Sequence, residues 1–412
     1  MFHALGEGRE SMYPMYIGYR RRKPKRWPWV LLLVVLAAAA AGIWYVYRYR
    51  PALLAQALAR VPADKLPAEL RPQPTATPTV HVPTAAEYLA EGDRLFNNGK
   101  MGEALQQYQK AIASDPMNAQ AHADAALAMA LRADYKGAVQ EAQRAVEIDG
   151  QTADYQAILG MAQDWNDQAE QAVLTCLRAV DMDPKSVMAQ AFLAEAYMDT
   201  DRLDQGKQAA QQAIALDPNN LWARRAAAYV YEKQGDYQNA INEYQRDLDN
   251  HPHMGFLCMA IGRNYAALEK YTEAIAAYQK AADIDPTDAQ AYDAMGWAYY
   301  SQQDYERASV LLKKALDVDP NYTAAYGRLG VVYYVQRNYE EAINWLTQAI
   351  DKGTPREEYY YELGYSYIFL GDCDKATAPL KKALEIDPNC DVAKQGLAQC
   401  GIAVEGNETK KQ

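Results

Sequence analysis

The chain has 412 residues, half of them apolar, with five His and five Cys. This excludes a disordered acidic tail and a disulfide-stapled miniprotein, and leaves little material for a metal cluster. The net charge of −11 is unevenly divided: residues 1–84 carry 12 Lys and Arg against 4 Asp and Glu, so residues 85–412 stand at −19. So acidic a body is a poor partner for nucleic acid, whose affinity rests on phosphate neutralisation.

In chain order the first segment, 1–26, ends in a basic block of Arg20, Arg21, Arg22, Lys23, Lys25 and Arg26. It is followed by a transmembrane helix predicted over 27–47. Trp29 to Tyr47 are 19 residues without a charge, which as a helix cover roughly 28 Å, close to the hydrocarbon thickness of a bilayer. Trp27 and Trp29 at one end and Trp44, Tyr45 and Tyr47 at the other suit interfacial belts. The Ala39–Ala41 stretch offers small-residue cleavage sites, but the apolar run continues past it, so the segment reads as an uncleaved anchor. Only Arg48 and Arg50 follow closely, so the basic excess keeps the N-terminus cytoplasmic and places the rest extracytoplasmic, at the cell membrane. Residues 48–84 read as a stalk. A short helix fits between Pro51 and Arg71, then Pro recurs every few residues to Thr84 and favours a semi-stiff spacer.

From Ala85 a pattern repeats. Pro116, Pro184, Pro218, Pro252, Pro286, Pro320 and Pro388 are spaced by 34 residues or multiples of it, and nine such units fill 85–390 without insertion or deletion. Each unit reads as two helices. In the first, helix A covers about Ala86–Asn97 and helix B about Met101–Ser114, with Gly99 breaking them apart, as Gly235 and Gly371 do elsewhere. Position 8 is small throughout (Gly92, Ala126, Gly160, Ala194, Ala228, Gly262, Gly296, Gly330, Gly364), which lets helix A approach helix B closely. Position 27 is mostly Ala, but Asp247 stands there in the fifth unit and predicts either a packing flaw or a bend. Asp391–Cys400 begins a further helix that caps the array, and 401–412 is a polar tail.

The small residue at 8, Tyr at 11 (Tyr197, Tyr231, Tyr265, Tyr299, Tyr333, Tyr367), Ala at 20 and 27 and Pro at 32 resemble the tetratricopeptide repeat (TPR) family across three quarters of the chain. Gly150 and Thr354 depart from it by replacing the proline, and Gly206 replaces Ala at 20. The resemblance implies an all-α, right-handed superhelical solenoid of nine repeats plus a capping helix, in which stacking supplies the core. It also implies a concave face built from helix A. Bacterial membrane-anchored TPR proteins look similar, and they commonly scaffold envelope assembly or secretion complexes.

In that register positions 2, 5, 9, 12 and 13 face inward. They supply Trp165, Trp222, Tyr229, Phe256, Trp297, Tyr300, Tyr334, Tyr361, Tyr365 and Phe369, with Arg225, Lys233 and Arg263 as central positive charge. Aromatic walls around basic residues suit an extended peptide carrying carboxylates; the alternative is that the rings pack on one another. The Lys and Asn clamp that TPR domains use on chaperone tails is missing at position 5. Cys373 and Cys400 fall within bridging reach if the last helix B and the cap are antiparallel neighbours; they pair in an oxidising compartment and are otherwise reduced thiols. Cys176 reads as core, and His251-Pro-His253 as a plain turn without a third ligand. No phosphate loop, His-Glu-x-x-His or Cys-x-x-Cys motif occurs, so neither enzyme, metal nor cofactor is expected. The expectation is a membrane-tethered scaffold for a protein or peptide partner, with a glycan-binding or polysaccharide-export accessory role as the rival.

Overall fold

In the computed structural model of the chain, residues 27–50, 83–353 and 356–403 are described, with Ala52, Gln56, Val61, Pro62 and Lys65 between them. The basic block at 20–26, the Pro/Thr-rich run from 71, Thr354, Pro355 and the end of the tail lie outside the described residues. The regular structure among the described residues is twenty helices, without a strand, and the chain divides into two units at residue 81.

In the first unit α1 (Trp27–Tyr49) buries none of its side chains. It is long and apolar enough to cross a membrane and runs two residues past the span expected from the sequence.

The second unit holds nine helix pairs. They are α2 (Ala85–Asn97) with α3 (Met101–Ser114), α4 (Ala119–Leu131) with α5 (Tyr135–Ile148), and α6 (Ala153–Trp165) with α7 (Ala169–Met182). Next come α8 (Val187–Asp199) with α9 (Leu203–Leu216), α10 (Leu221–Lys233) with α11 (Tyr237–Asn250), and α12 (Gly255–Ala267) with α13 (Tyr271–Ile284). The last are α14 (Ala289–Ser301) with α15 (Tyr305–Val318), α16 (Thr323–Val335) with α17 (Tyr339–Asp351), and α18 (Glu357–Phe369) with α19 (Cys373–Ile386). A final short helix, α20 (Asp391–Gln399), packs on the last pair.

Local chemistry starts these helices where the pattern asks. Thr84 and Glu87 form a reciprocal capping box on α2, and Asp134, Asp236, Asp304 and Asp372 accept a backbone N–H at the start of their B helices. The turn inside each pair is left-handed at one position: Gly99, Gly235 and Gly371 have φ of 75–81°, and Ala133, Asp167, Asp201, Glu269, Gln303 and Arg337 adopt 58–64° there. Within a pair, position 8 meets position 24. A Cβ on Gly92 would run into the Tyr108 ring, and one on Gly364 into Leu380, so the small residue is what lets a large buried partner fit.

At the end of the array α20 buries Ala393 and Leu397, and a Cys373–Cys400 disulfide with 5.4 Å between Cα atoms ties it to the start of α19. Cys176 is buried in the core. Asp247 is fully buried and accepts a 3.0 Å hydrogen bond from His251 Nδ1, so this histidine serves its own turn. Burial lifts the Asp247 carboxyl to about 6, partly offset by His251.

The repeats do not simply march away from their start. The first two return onto the turns that follow the fifth and sixth. Arg132 donates to Thr287 O at 3.0 Å and pairs with Asp285 at 3.4 Å, while Gln290 Nε2 donates to Leu131 O at 3.1 Å. Met101 joins the apolar cluster of Met254, Leu257 and Tyr278, with Phe96, Leu131 and Ile284 against it. Gly99 lies so near the His253 carbonyl that a side chain there would overlap it. One turn of the solenoid therefore closes on itself.

Candidate functional site

The inner face of that closed turn is built by successive A helices, and its side chains follow one offset. Because neighbouring A helices lie side by side, displaced by one helical turn, a residue meets the one 30 positions later. Trp165 Nε1 donates to Glu195 Oε2 at 3.3 Å, Glu195 pairs with Arg225, and Tyr229 donates to Asp199 Oδ1 at 2.6 Å, all at this separation. Lys233 adds a 2.8 Å ion pair to the same Asp199 oxygen. The Arg225 guanidinium lies 4.5 Å from the centre of the Trp165 ring, a cation–π placement reinforced by burial.

This network encloses a cavity of about 500 Å³, lined by Trp165, Tyr229, Phe256, Arg225, Arg263 and several carboxylates. Its central cations are largely spent: Arg225 is 9% exposed against Glu195 at 1%, and Lys233 is held by Asp199. Arg263 differs. It is exposed, and no ion pair engages it among the described residues. The carboxylate 30 positions on, Asp293, is taken by Arg328 and Tyr322. Burial lifts the Glu195 carboxyl, with Arg225 working against it. Asp164 is pushed up to about 8 by burial, then by the charges of Asp199 and Glu195.

Arg263 also lines a second cavity of about 280 Å³, together with Trp297, Asp293 and Arg328. Beyond it aromatic rings continue along the last repeats. Tyr300 stacks on Trp297 at 4.5 Å, Arg328 lies 5.0 Å over the same indole, and Tyr339 stacks on Phe369 at 4.7 Å with Tyr334 beside both.

Of the residues singled out from the sequence, Trp165, Arg225, Tyr229, Phe256 and Arg263 thus share the first cavity, and Trp297 lines the second. Lys233 reaches the first through Asp199. Tyr300, Tyr334 and Phe369 belong to the aromatic run. Two expectations need correcting. Trp222 does not line the face: it is 6% exposed, stacked on Phe256 at 5.8 Å and tilted on Phe192 at 5.2 Å, because the next repeat's Phe256 covers it. Tyr365 is also buried, donating to Val392 O of the cap at 3.2 Å, and Tyr361 packs against the same terminal cluster. The central positive charge is likewise largely internal. Sequence reading missed Asp164, Glu195, Asp199 and Asp293, although all four occupy the same inward positions as the aromatic residues it named. The 30-residue offset would have paired two of them, Glu195 and Asp199.

Comparison with known proteins agrees with this architecture. Two tetratricopeptide repeat models match residues 92–131 and 189–220, and the model for the C-terminal domain of cilia and flagella-associated protein 70 matches 219–412. With its helix pairs and this inner face, the chain belongs to the tetratricopeptide repeat family. No curated protein sequence matches it. Among solved structures, a chain of the APC/C hetero-tetramer Cut9–Hcn1 aligns with a TM-score of 0.53 at 15% identity, over 77% of this chain and 76% of that one. PilF of Pseudomonas aeruginosa gives 0.46 at 17% identity, over 52% and 97%. YrrB, described as a TPR protein with an unusual peptide-binding site, gives 0.38 at 18%, over 46% and 97%. At 15% identity the likeness to the Cut9–Hcn1 chain is one of fold.

Proposed function

We propose that the chain is a membrane-anchored scaffold that holds a segment of a partner protein on its inner face and performs no catalysis itself. The observation that carries this is the pair of adjoining cavities on successive A helices, joined at Arg263 and walled by Trp165, Phe256 and Trp297. Aromatic anchors beside polar groups are the usual composition of a protein-binding hot spot. The partner envisaged from the sequence, one rich in carboxylates, is poorly matched, since Arg225 and Lys233 already hold carboxylates of their own. Sugar stacking is also disfavoured: guanidiniums lie over Trp165 and Trp297, and Tyr300 covers part of the latter.

Anchoring by α1 with the solenoid extracytoplasmic is supported by the length of that helix, by the basic block before it, and by the Cys373–Cys400 bridge, which suits an oxidising compartment. Crosslinking and co-purification from native membranes tests the scaffold, with Trp297→Ala and Arg263→Ala as groove variants. Loss of the partner from both supports the reading; undiminished recovery in both rejects the inner face. Protease shaving of spheroplasts tests orientation, where a protected solenoid reverses it.

A further inference from the structure

The first cavity is lined by more acidic groups than cations to pair with them. Asp164, Asp167, Asp199, Glu232 and Asp288 line it against Arg225 and Arg263, and Arg225 is committed to Glu195. Asp164 is the informative member. It is 6% exposed, and no donor among the described residues reaches either of its oxygens. It lies against Asp199, whose Oδ1 already receives Tyr229 and Lys233.

Burying a carboxyl without donors is costly, and the repeat's packing does not ask for it. The same position is Phe96, Ala130, Met198, Ala266, Tyr300, Tyr334 and Ile368 in other repeats; only Asp164 and Glu232 are acidic there, and both line this cavity. The rings of Tyr135, Trp165, Tyr229 and Phe256 complete the wall. Acid groups set among aromatic faces suit a cation on an apolar stem.

We propose that this cavity accepts a basic side chain, a lysine or arginine presented by the partner segment. The proposal rests on the scaffold reading and adds the charge of the residue the partner offers. A cavity of about 500 Å³ is ample for one such side chain with water. The entering cation keeps its protons, and Asp164, whose carboxyl is pushed up to about 8 by burial and by Asp199 and Glu195, gives its own to solvent and becomes the counter-ion. The groups facing Asp164 are Glu195 and Asp199 from α8, Arg225, Tyr229 and Lys233 from α10, and Cys176 from α7.

The test uses the full chain in nanodiscs and a Gly/Ser octapeptide with one central lysine, beside a twin in which norleucine replaces it. Calorimetry at pH 7 in two buffers of different ionisation enthalpy reads affinity and proton release together. The lysine peptide is expected to bind at least about 10-fold more tightly than its twin and to release close to one proton. Asp164→Asn should abolish the release and most of the preference, with the melting transition retained. Glu232→Gln, at the same register two repeats on, is the second variant and should reduce the preference alone. Equal binding of the twins, no binding of the lysine peptide, or a preference unchanged by both variants overturns the basic acceptor. Partner recovery from membranes is a separate readout: if it persists in Asp164→Asn, this inference falls and the scaffold stands, whereas if no partner is ever recovered the scaffold itself falls.

Discussion

The repeats from α2 to α13 and those from α14 to α20 are written in the same 34-residue pattern yet hold together differently. In the first region one apolar core runs without a break from Ala123 to Val230, a second joins Met101 to residues from Ala228 to Ala298 and so reaches into α14, and a small one surrounds Tyr108. In the other, the core falls into three small clusters, each spanning little more than a repeat, and a disulfide ties down the end. The first region also buries an ion pair and closes its turn through side chains more than 150 residues apart. The pattern residues therefore dictate stacking, and the residues between them decide whether a stretch becomes a closed, charged ring or an arm of nearly separate units.

The largest expected effect breaks the comparison at its buried charges. Arg225→Ala leaves Glu195, 1% exposed, without its cation and should cost about 3–5 kcal/mol in chemical denaturation. The double variant Arg225→Leu/Glu195→Leu should recover most of that. The corresponding pair in the other region is more forgiving. Each carboxylate keeps one donor, Trp165 for Glu195 and Tyr322 for Asp293. The Arg328 side chain, however, is 31% exposed against 10% for Arg225, so water reaches its pair and Arg328→Ala is expected to cost about 1–3 kcal/mol. Equal losses from the two single variants would erase the distinction.

Next in size is the staple. Cys373 and Cys400 are 27 residues apart, and opening a loop of that length costs about 3.5 kcal/mol in the chain-entropy account. Because the core of the last repeats is divided, Cys400→Ser should act locally. Hydrogen exchange should speed up in α18–α20 and stay unchanged in α2–α13. A uniform rise along the array would mean the C-terminal repeats unfold with the ring.

Much of the fold was legible because its signals are local and recur in phase. The predicted helix Met101–Ser114 matches the observed one, and α2 starts one residue earlier than expected. The inner face was only half legible. Positions 9, 12 and 13 were located, but Glu195, Asp164 and Asp199 take their meaning from neighbours 30 to 35 residues away, and those pairings are set by how A helices lie side by side. Closure was not legible at all: nothing in a repeat pattern says that Arg132 will meet Asp285. Gly99 shows the same limit. It was read as a helix breaker, yet six non-glycine residues hold the same left-handed turn in other repeats. What demands glycine there is the His253 backbone from another part of the chain.

That difference makes a paired experiment. At Gly371, with φ of 81° and no atom within 4 Å of an added Cβ, alanine should cost only the left-handed strain, about 1 kcal/mol. At Gly99 the same substitution must also push the first repeat away from residue 253, and about 2–3 kcal/mol is expected. Thermal melts of both variants measure the gap; equal shifts would mean the ring yields at that contact without cost.

The smallest effect probes what keeps the ring shut. Arg132 is partly exposed and its ion pair with Asp285 is long, at 3.4 Å, so most of its contribution comes from the 3.0 Å hydrogen bond to Thr287 O. Arg132→Ala should therefore cost about 1–2 kcal/mol, with faster exchange at the first two repeats and none of the loss appearing beyond α14. Met101, Phe96 and Leu131 remain packed across the closure in that variant. If exchange at those repeats does not change, the apolar contact alone holds the turn, and Arg132 fixes its register without adding strength.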